Sequence, residues 1–303
     1  MIADPHDLTN DVHTLPQMPS WITRGSGGAV EDVAFLSGAA LSHLHLVLQR
    51  KDVPQALVRA RRALRAAEAC VALAGRSERA GDLRDAMAFV QPGDSPGPAG
   101  EVYLSWVRAV ERPVSGKALQ RSLPGLDADE IACWLDASGS SGTAGQGGPI
   151  ARAADVLATV LADRPRDRMA ALLLADASLA QGLRWSHVVP LLSIGLKRRD
   201  LTLSGDGLRR ACFEAVTRAS VEVVREAADL ARRATRLRPV IPKLRAKGAE
   251  AAAMLLLERD ALAPTALTSL RSDRARRRFC DRLVELGVVC ELTGRETFRL
   301  YGL

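Results

Sequence analysis

The sequence predicts a mainly α-helical protein whose end turns into a short β-hairpin. Three observations carry that expectation. Apolar residues recur every three or four positions over long stretches, β-branched alternation is nearly absent before residue 288, and two Gly-rich clusters interrupt the pattern. With 303 residues, 47% hydrophobic and 25% charged, the chain is long enough for two or three domains and has a globular balance, which excludes disordered and fibrous classes.

The elements follow in order. After an irregular start containing Pro5, Pro16 and Pro19, a helix is expected over 30–50, with Val33, Leu36, Ala40, Leu44 and Val47 as its buried stripe. A second spans 54–74 and stops at Gly75, and a short third spans 82–90. The cluster QPGDSPGPAG (91–100) reads as a turn that no helix crosses, and helix resumes over 101–111 with Tyr103, Trp106 and Val110 on one side. Asp127 caps another helix ending near Ala137. The run SGSSGTAGQGG (138–148), with five glycines and three serines, reads as a linker between a helical N-terminal domain, 1–137, and a helical bundle, 149–248. In that bundle helices are expected over 149–163, 166–183 and 207–237. The last repeats Leu208, Cys212, Ala215, Ala219, Val223, Ala227, Leu230, Ala234 and Leu237, small residues suited to close helix packing, before Pro239 and Pro242 end it.

From Ala249 the pattern changes to helix (249–263), short helix (265–270), helix (273–286) and two strands. Ser272 is the expected N-cap of the third helix, Asp273 complements its positive end and Gly287 stops it. On that helix Ala275, Phe279, Leu283 and Leu286 form one face, Arg274, Arg277 and Arg278 the other, with Arg276 and Arg282 at the flanks. Val288 to Leu292, a Thr293-Gly294-Arg295 turn and Glu296 to Tyr301 read as the hairpin, with Val288, Cys290 and Leu292 alternating on one strand and Phe298 and Leu300 on the other. Three helices and a hairpin are the order of a winged helix-turn-helix, in which a basic third helix enters the major groove of double-stranded DNA and the wing touches the backbone. The alternative is a winged helix used for protein contacts.

Charge points to the same segment. Residues 1–150 hold 14 basic and 17 acidic side chains, 151–303 hold 28 and 18, and 230–303 alone hold 16 against 8. A concentrated excess suits a polyanion, because neutralised phosphates release counterions, although solvated arginine-rich faces give the same arithmetic. The expected DNA-binding residues are Arg274, Arg276, Arg277, Arg278, Arg282 and Arg295, joined by Lys243, Arg245 and Lys247 in PKLRAKGA (242–249), which serves equally well as a solvated connector.

The stretches HTLPQMPSW (13–21), AFLSGAAL (34–41), LAGR (73–76), LRDA (83–86), PGDSPGPAG (92–100), ADLARRA (228–234), PKLRAKGA (242–249) and ELTGRETFRLYGL (291–303) resemble the domain-of-unknown-function family 1403 of alphaproteobacteria, often carried on plasmids and mobile elements. Agreement runs end to end and is weakest between 115 and 210. The resemblance implies lineage and fold rather than a chemistry. The C-terminus also resembles the terminal helix-turn-helix segment attached to some Fic-like proteins.

Catalytic constellations are thin. His43 and His45 are two apart, on different faces of a helix, and neither HExxH, a nucleophile elbow nor a Fic-type motif occurs. The Gly-rich run lacks the Gly-Lys-Ser/Thr ending of a phosphate loop. The candidate polar pocket is Arg76, Arg84, Asp85 and Asp94, which read equally as turn residues and their ion pairs. Trp21, Trp106, Trp134 and Trp185 are expected as core anchors and the five cysteines, none closely spaced, as buried reduced thiols. No metal or cofactor is expected. Without a signal peptide or an apolar stretch of about 20 residues, a cytoplasmic protein is expected, and the reading is a DNA-binding regulator of transcription or mobile-element maintenance, or else an adaptor that binds protein.

Overall fold

The computed structural model describes residues 15–24, 28–90, 93–140, 147–244, 246–295 and 298–303, and over 137–140 the backbone alone. Within them the chain is mainly helical, with one two-stranded antiparallel pair. After α1 (Ser20–Arg24), α2 (Val30–Leu48) carries Glu31 and Asp32 in its first turn, where carboxylates meet the positive end of the helix dipole. Val33, Ala40, Leu44 and Val47 are buried as expected, and Leu36 half-buried. α3 (Gln55–Leu73) is followed by α4 (Ala80–Phe89) and α5 (Gly97–Glu111). The last begins inside the Gly/Pro cluster expected to be irregular, because Pro98 falls in its first turn, where the missing N–H has no partner to lose. α6 (Gly116–Ser122), capped by the Ser115 hydroxyl accepting from the Ala118 N–H at 3.2 Å, is too short to show a period. α7 (Ala128–Ser140) continues past the expected stop at Ala137, and residues 141–146 of the expected linker lie outside the described residues.

The centre of the molecule is α8 (Pro149–Asp163), α9 (Arg168–Gly182), the single turn α10 (Leu192–Gly195) and α11 (Gly205–Leu237). α2, α3, α8 and α10 all pack along α11, whose nine-residue stripe is buried throughout. The small residues set how close they come. A Cβ on Gly195 would lie 2.5 Å from the Ala215 carbonyl oxygen and 2.8 Å from its Cα, so only glycine lets α10 rest on α11. Every residue of α9 from Ala170 to Ala180 is buried, Asp176 included. That carboxylate accepts from the backbone N–H groups of Leu191 (3.0 Å), Leu192 (2.8 Å) and Ser193 (3.1 Å), supplying the start of α10 with acceptors no solvent could reach. Burial raises its pKa against the pull of those bonds. One continuous core includes residues on both sides of the Gly/Ser run, from α2 to the last residues.

The C-terminal segment is less regular than expected. α12 (Ala249–Leu255) stops well before Ala263, the second helix is a 3₁₀ turn (Pro264–Ala266), and α13 (Asp273–Glu285) holds its expected place. β1 (Cys290–Glu291) pairs with β2 (Tyr301–Gly302) in the register Cys290 to Gly302 and Glu291 to Tyr301. Leu262 joins the pair through reciprocal backbone bonds with Tyr301, both 2.9 Å.

Some expected burials fail. Trp106 and Trp134 are core residues, but Trp21 is 51% exposed and stacks on Phe35, and Trp185 is half-buried with its Nε1 donating to His45 Nδ1 at 2.9 Å. Cys70, Cys212 and Cys280 are buried free thiols, pushed up to about 12 by desolvation, whereas Cys133 and Cys290 are exposed. Leu286, expected inside, is 40% exposed. It is the C-cap of α13, still bonded through its N–H to the Arg282 carbonyl, at the end of the stripe that the segment covers.

Candidate nucleic-acid interface

α13 owes its position to two local devices. The Ser272 hydroxyl accepts from the Ala275 N–H at 3.2 Å, and Phe279, Cys280 and Leu283 bury one face against the rest of the segment. The opposite face presents Arg274, Arg277 and Arg278, all exposed and without an ion-pair partner among the described residues. The two flanking arginines are engaged. Arg276 turns back to the Leu270 carbonyl (3.3 Å) and to Asp273 (2.8 Å), and Arg282 pairs with Glu285 at 3.1 Å. Lys243 and Lys247 are exposed, and Arg245 lies outside the described residues.

The connection between the strands is longer than the three-residue turn expected. The Leu292 N–H donates to the Leu300 carbonyl at 2.8 Å, and of the described residues between them Thr293, Gly294, Arg295, Phe298 and Arg299 lie outside the ladder. The start of this loop is gathered by Glu291, whose carboxylate accepts from the N–H groups of Thr293 (2.8 Å) and Gly294 (2.9 Å) and from the Thr293 hydroxyl. These bonds, that from the hydroxyl foremost, hold the Glu291 carboxyl below the usual range. The strand also faces the other way from the expected alternation. Val289 is buried and Cys290 exposed, since the register with β2 and Leu262 sets the pleat rather than the apolarity of Cys290.

Arg295, expected on a DNA phosphate, instead pairs with Asp85 of α4 at 2.7 Å. Beside it Phe298 meets Phe89, also of α4, with ring centroids 4.2 Å apart. The candidate pocket residues are therefore not gathered into one site. Arg76 pairs with Glu78 at the surface, Asp94 is exposed, and Arg84 and Asp85 hold the C-terminal segment. Arg84 binds Asp260 through two hydrogen bonds, Nε to Oδ2 at 2.6 Å and a terminal nitrogen to Oδ1 at 3.0 Å. Arg61 of α3 pairs with the same carboxylate and donates to the Leu303 carbonyl at 2.5 Å. Asp260 is 3% exposed; burial is the largest single influence on Arg84 and lowers its pKa, but the Asp260 hydrogen bonds and the surrounding charge together outweigh it and leave that pKa raised. Asp260 follows the early end of α12, in the non-helical stretch between Leu255 and Pro264. Asp260 and Arg61 escape a sequence reading, since the partners of Asp260 lie nearly 200 residues away and no local period marks it.

A family model described as a protein of unknown function (DUF1403) matches residues 6–303, and the chain belongs to that family. No curated protein matches it. Among the described residues no helix is long and apolar enough to cross a membrane.

Proposed function

We propose that residues 249–303 form a winged helix-turn-helix that binds double-stranded DNA, and that the protein regulates transcription or the maintenance of a mobile element. The observation that carries this reading is the open face of α13, where Arg274, Arg277 and Arg278 stand free of acidic partners near the helix start. The order of elements supports it. α12, the Leu262 bridge, the 3₁₀ turn, α13 and the β1–β2 pair succeed one another as helix, strand, turn, helix and wing. Asp281, exposed further along α13, and Glu285 repel phosphate, so the footprint ends after about two turns.

A salt titration of the full chain on random duplex is the test. Affinity falls steeply with salt in log–log form, and the slope becomes shallower by up to about three units in a triple alanine variant at 274, 277 and 278. A folded triple variant with undiminished affinity for its best duplex removes this reading. It would leave the second, an adaptor whose winged helix contacts protein, which draws support from Arg295 and Phe298 already being engaged by a protein surface, α4.

A further inference from the structure

The seam between the helical body and the C-terminal segment encloses a cleft of about 400 Å³, walled by Ala56, Ala60, Met87, Val107 and Val110 on one side and by residues 258–261 on the other. Its size falls in the range of small-molecule sites. Two polar side chains on its wall are incompletely used. Tyr103 is 8% exposed, and its hydroxyl makes no hydrogen bond to another described residue and is not sealed from solvent, which leaves it to whatever occupies the cleft. Arg59 is half-buried and donates from Nε to the Val110 carbonyl at 3.1 Å, but no carboxylate of the described residues pairs with it, and desolvation lowers its pKa.

The sign of the field at the inner wall decides what fits. Asp260 is the buried carboxylate there, and it is shared between Arg61 and Arg84, so that group of three carries one net positive charge. Arg59 adds a second. Glu111, Glu258 and Arg259 also line the cleft but are exposed, where water screens them. Arg61 and Arg84 are not among the residues that line the cleft, so a ligand bound here meets the Arg59 guanidinium and the Tyr103 hydroxyl at one end and an aliphatic wall at the other.

We propose that this cleft binds a small organic anion, a carboxylate with an apolar body, its carboxylate accepting from the Arg59 guanidinium and the Tyr103 hydroxyl and its body lying on Met87, Val107 and Val110. Because 258–261 form one wall, the bound molecule bridges the body and the C-terminal segment. The site stands whether or not that segment binds DNA.

Calorimetric titration of the full chain with octanoate and 4-phenylbutyrate, and with octanamide as the uncharged counterpart of the first, tests it. At least one carboxylate binds saturably in the millimolar range or tighter, and octanoate binds at least about tenfold better than its amide, as a hydrogen bond to a charged group implies. Tyr103→Phe keeps the ring and removes only the unpartnered hydroxyl. It leaves the melting temperature unchanged and weakens the carboxylate by about tenfold. Arg59→Met keeps the aliphatic stem and abolishes the preference for octanoate over octanamide. Should Arg59→Met fail to fold, Tyr103→Phe decides alone. No saturable binding of either carboxylate, equal binding of acid and amide, or undiminished binding by folded Tyr103→Phe overturns the proposal.

Discussion

The helical centre around α9 and α11 and the C-terminal segment after Gly248 are held together by different forces. In the centre, long helices bury apolar stripes on every side, and even the polar contact at Asp176 is local, joining α9 to a turn 15 to 17 residues away. In the C-terminal segment, α13 apart, the elements are a two-turn helix, a 3₁₀ turn and strands of two residues, too short to be stable alone. To the apolar core they share with the body, their attachment to α3 and α4 adds ion pairs at Asp260 and Arg295 and one ring contact. Burial of area makes the first region cohesive, whereas in the second a few placed charges add to the burial and orient it.

Substitutions separate the two. Trp106→Ala, at a side chain with no exposure, is expected to cost about 3–5 kcal/mol and to lower the thermal midpoint of the whole molecule. An unchanged midpoint would mean that the centre is not the cohesive part. Phe279→Ala is expected to cost about 3 kcal/mol, near the lower end for a buried ring because a small segment can collapse around the gap, and amides of α13 should then exchange faster than those of α9.

Asp260→Asn leaves two partly buried guanidiniums without their shared counter-charge, at a cost of roughly 2 kcal/mol. The readout is exchange at Leu262 and Tyr301, whose N–H groups bond each other's carbonyls. If those amides stay protected, the attachment is apolar after all and the contrast between the regions weakens. Arg295→Ala, at a pair half open to solvent, should change stability by less than about 1 kcal/mol.

The smallest effect is pH-dependent. Glu291 has a depressed folded pKa, so its contribution is present above the ordinary carboxylate value and is lost as pH falls through the depressed one. Acid should loosen the Thr293–Gly294 amides before the body, and Glu291→Gln should reproduce this at neutral pH.

The difference in cohesion also explains what the sequence made legible. The stripe from Leu208 to Leu237, the helix over 149–163 and the Ser272 cap all appear in the structure because period and cap chemistry are local properties. The open arginines of α13 were legible for the same reason. The inverted face of β1 and the engagement of Arg84, Asp85 and Arg295 were not, because each depends on a partner far along the chain. Arg84 and Asp85 read from the sequence as candidate pocket residues or as ion-pair partners of a turn. Their partners turned out to be the C-terminal segment rather than a shared pocket.

The pairing of Arg84 with Asp260, 176 residues downstream, sets an order of events during synthesis. At about 5–20 residues per second, α3 and α4 emerge from the ribosome roughly 10–40 s before the carboxylate that pairs with Arg61 and Arg84. Through that interval Arg61 and Arg84 remain hydrated, and the face of α4 bearing Phe89 has nothing to cover it. The helices of the centre can consolidate meanwhile on their own stripes. This seam is thus closed late, by residues made after the helices to which they return.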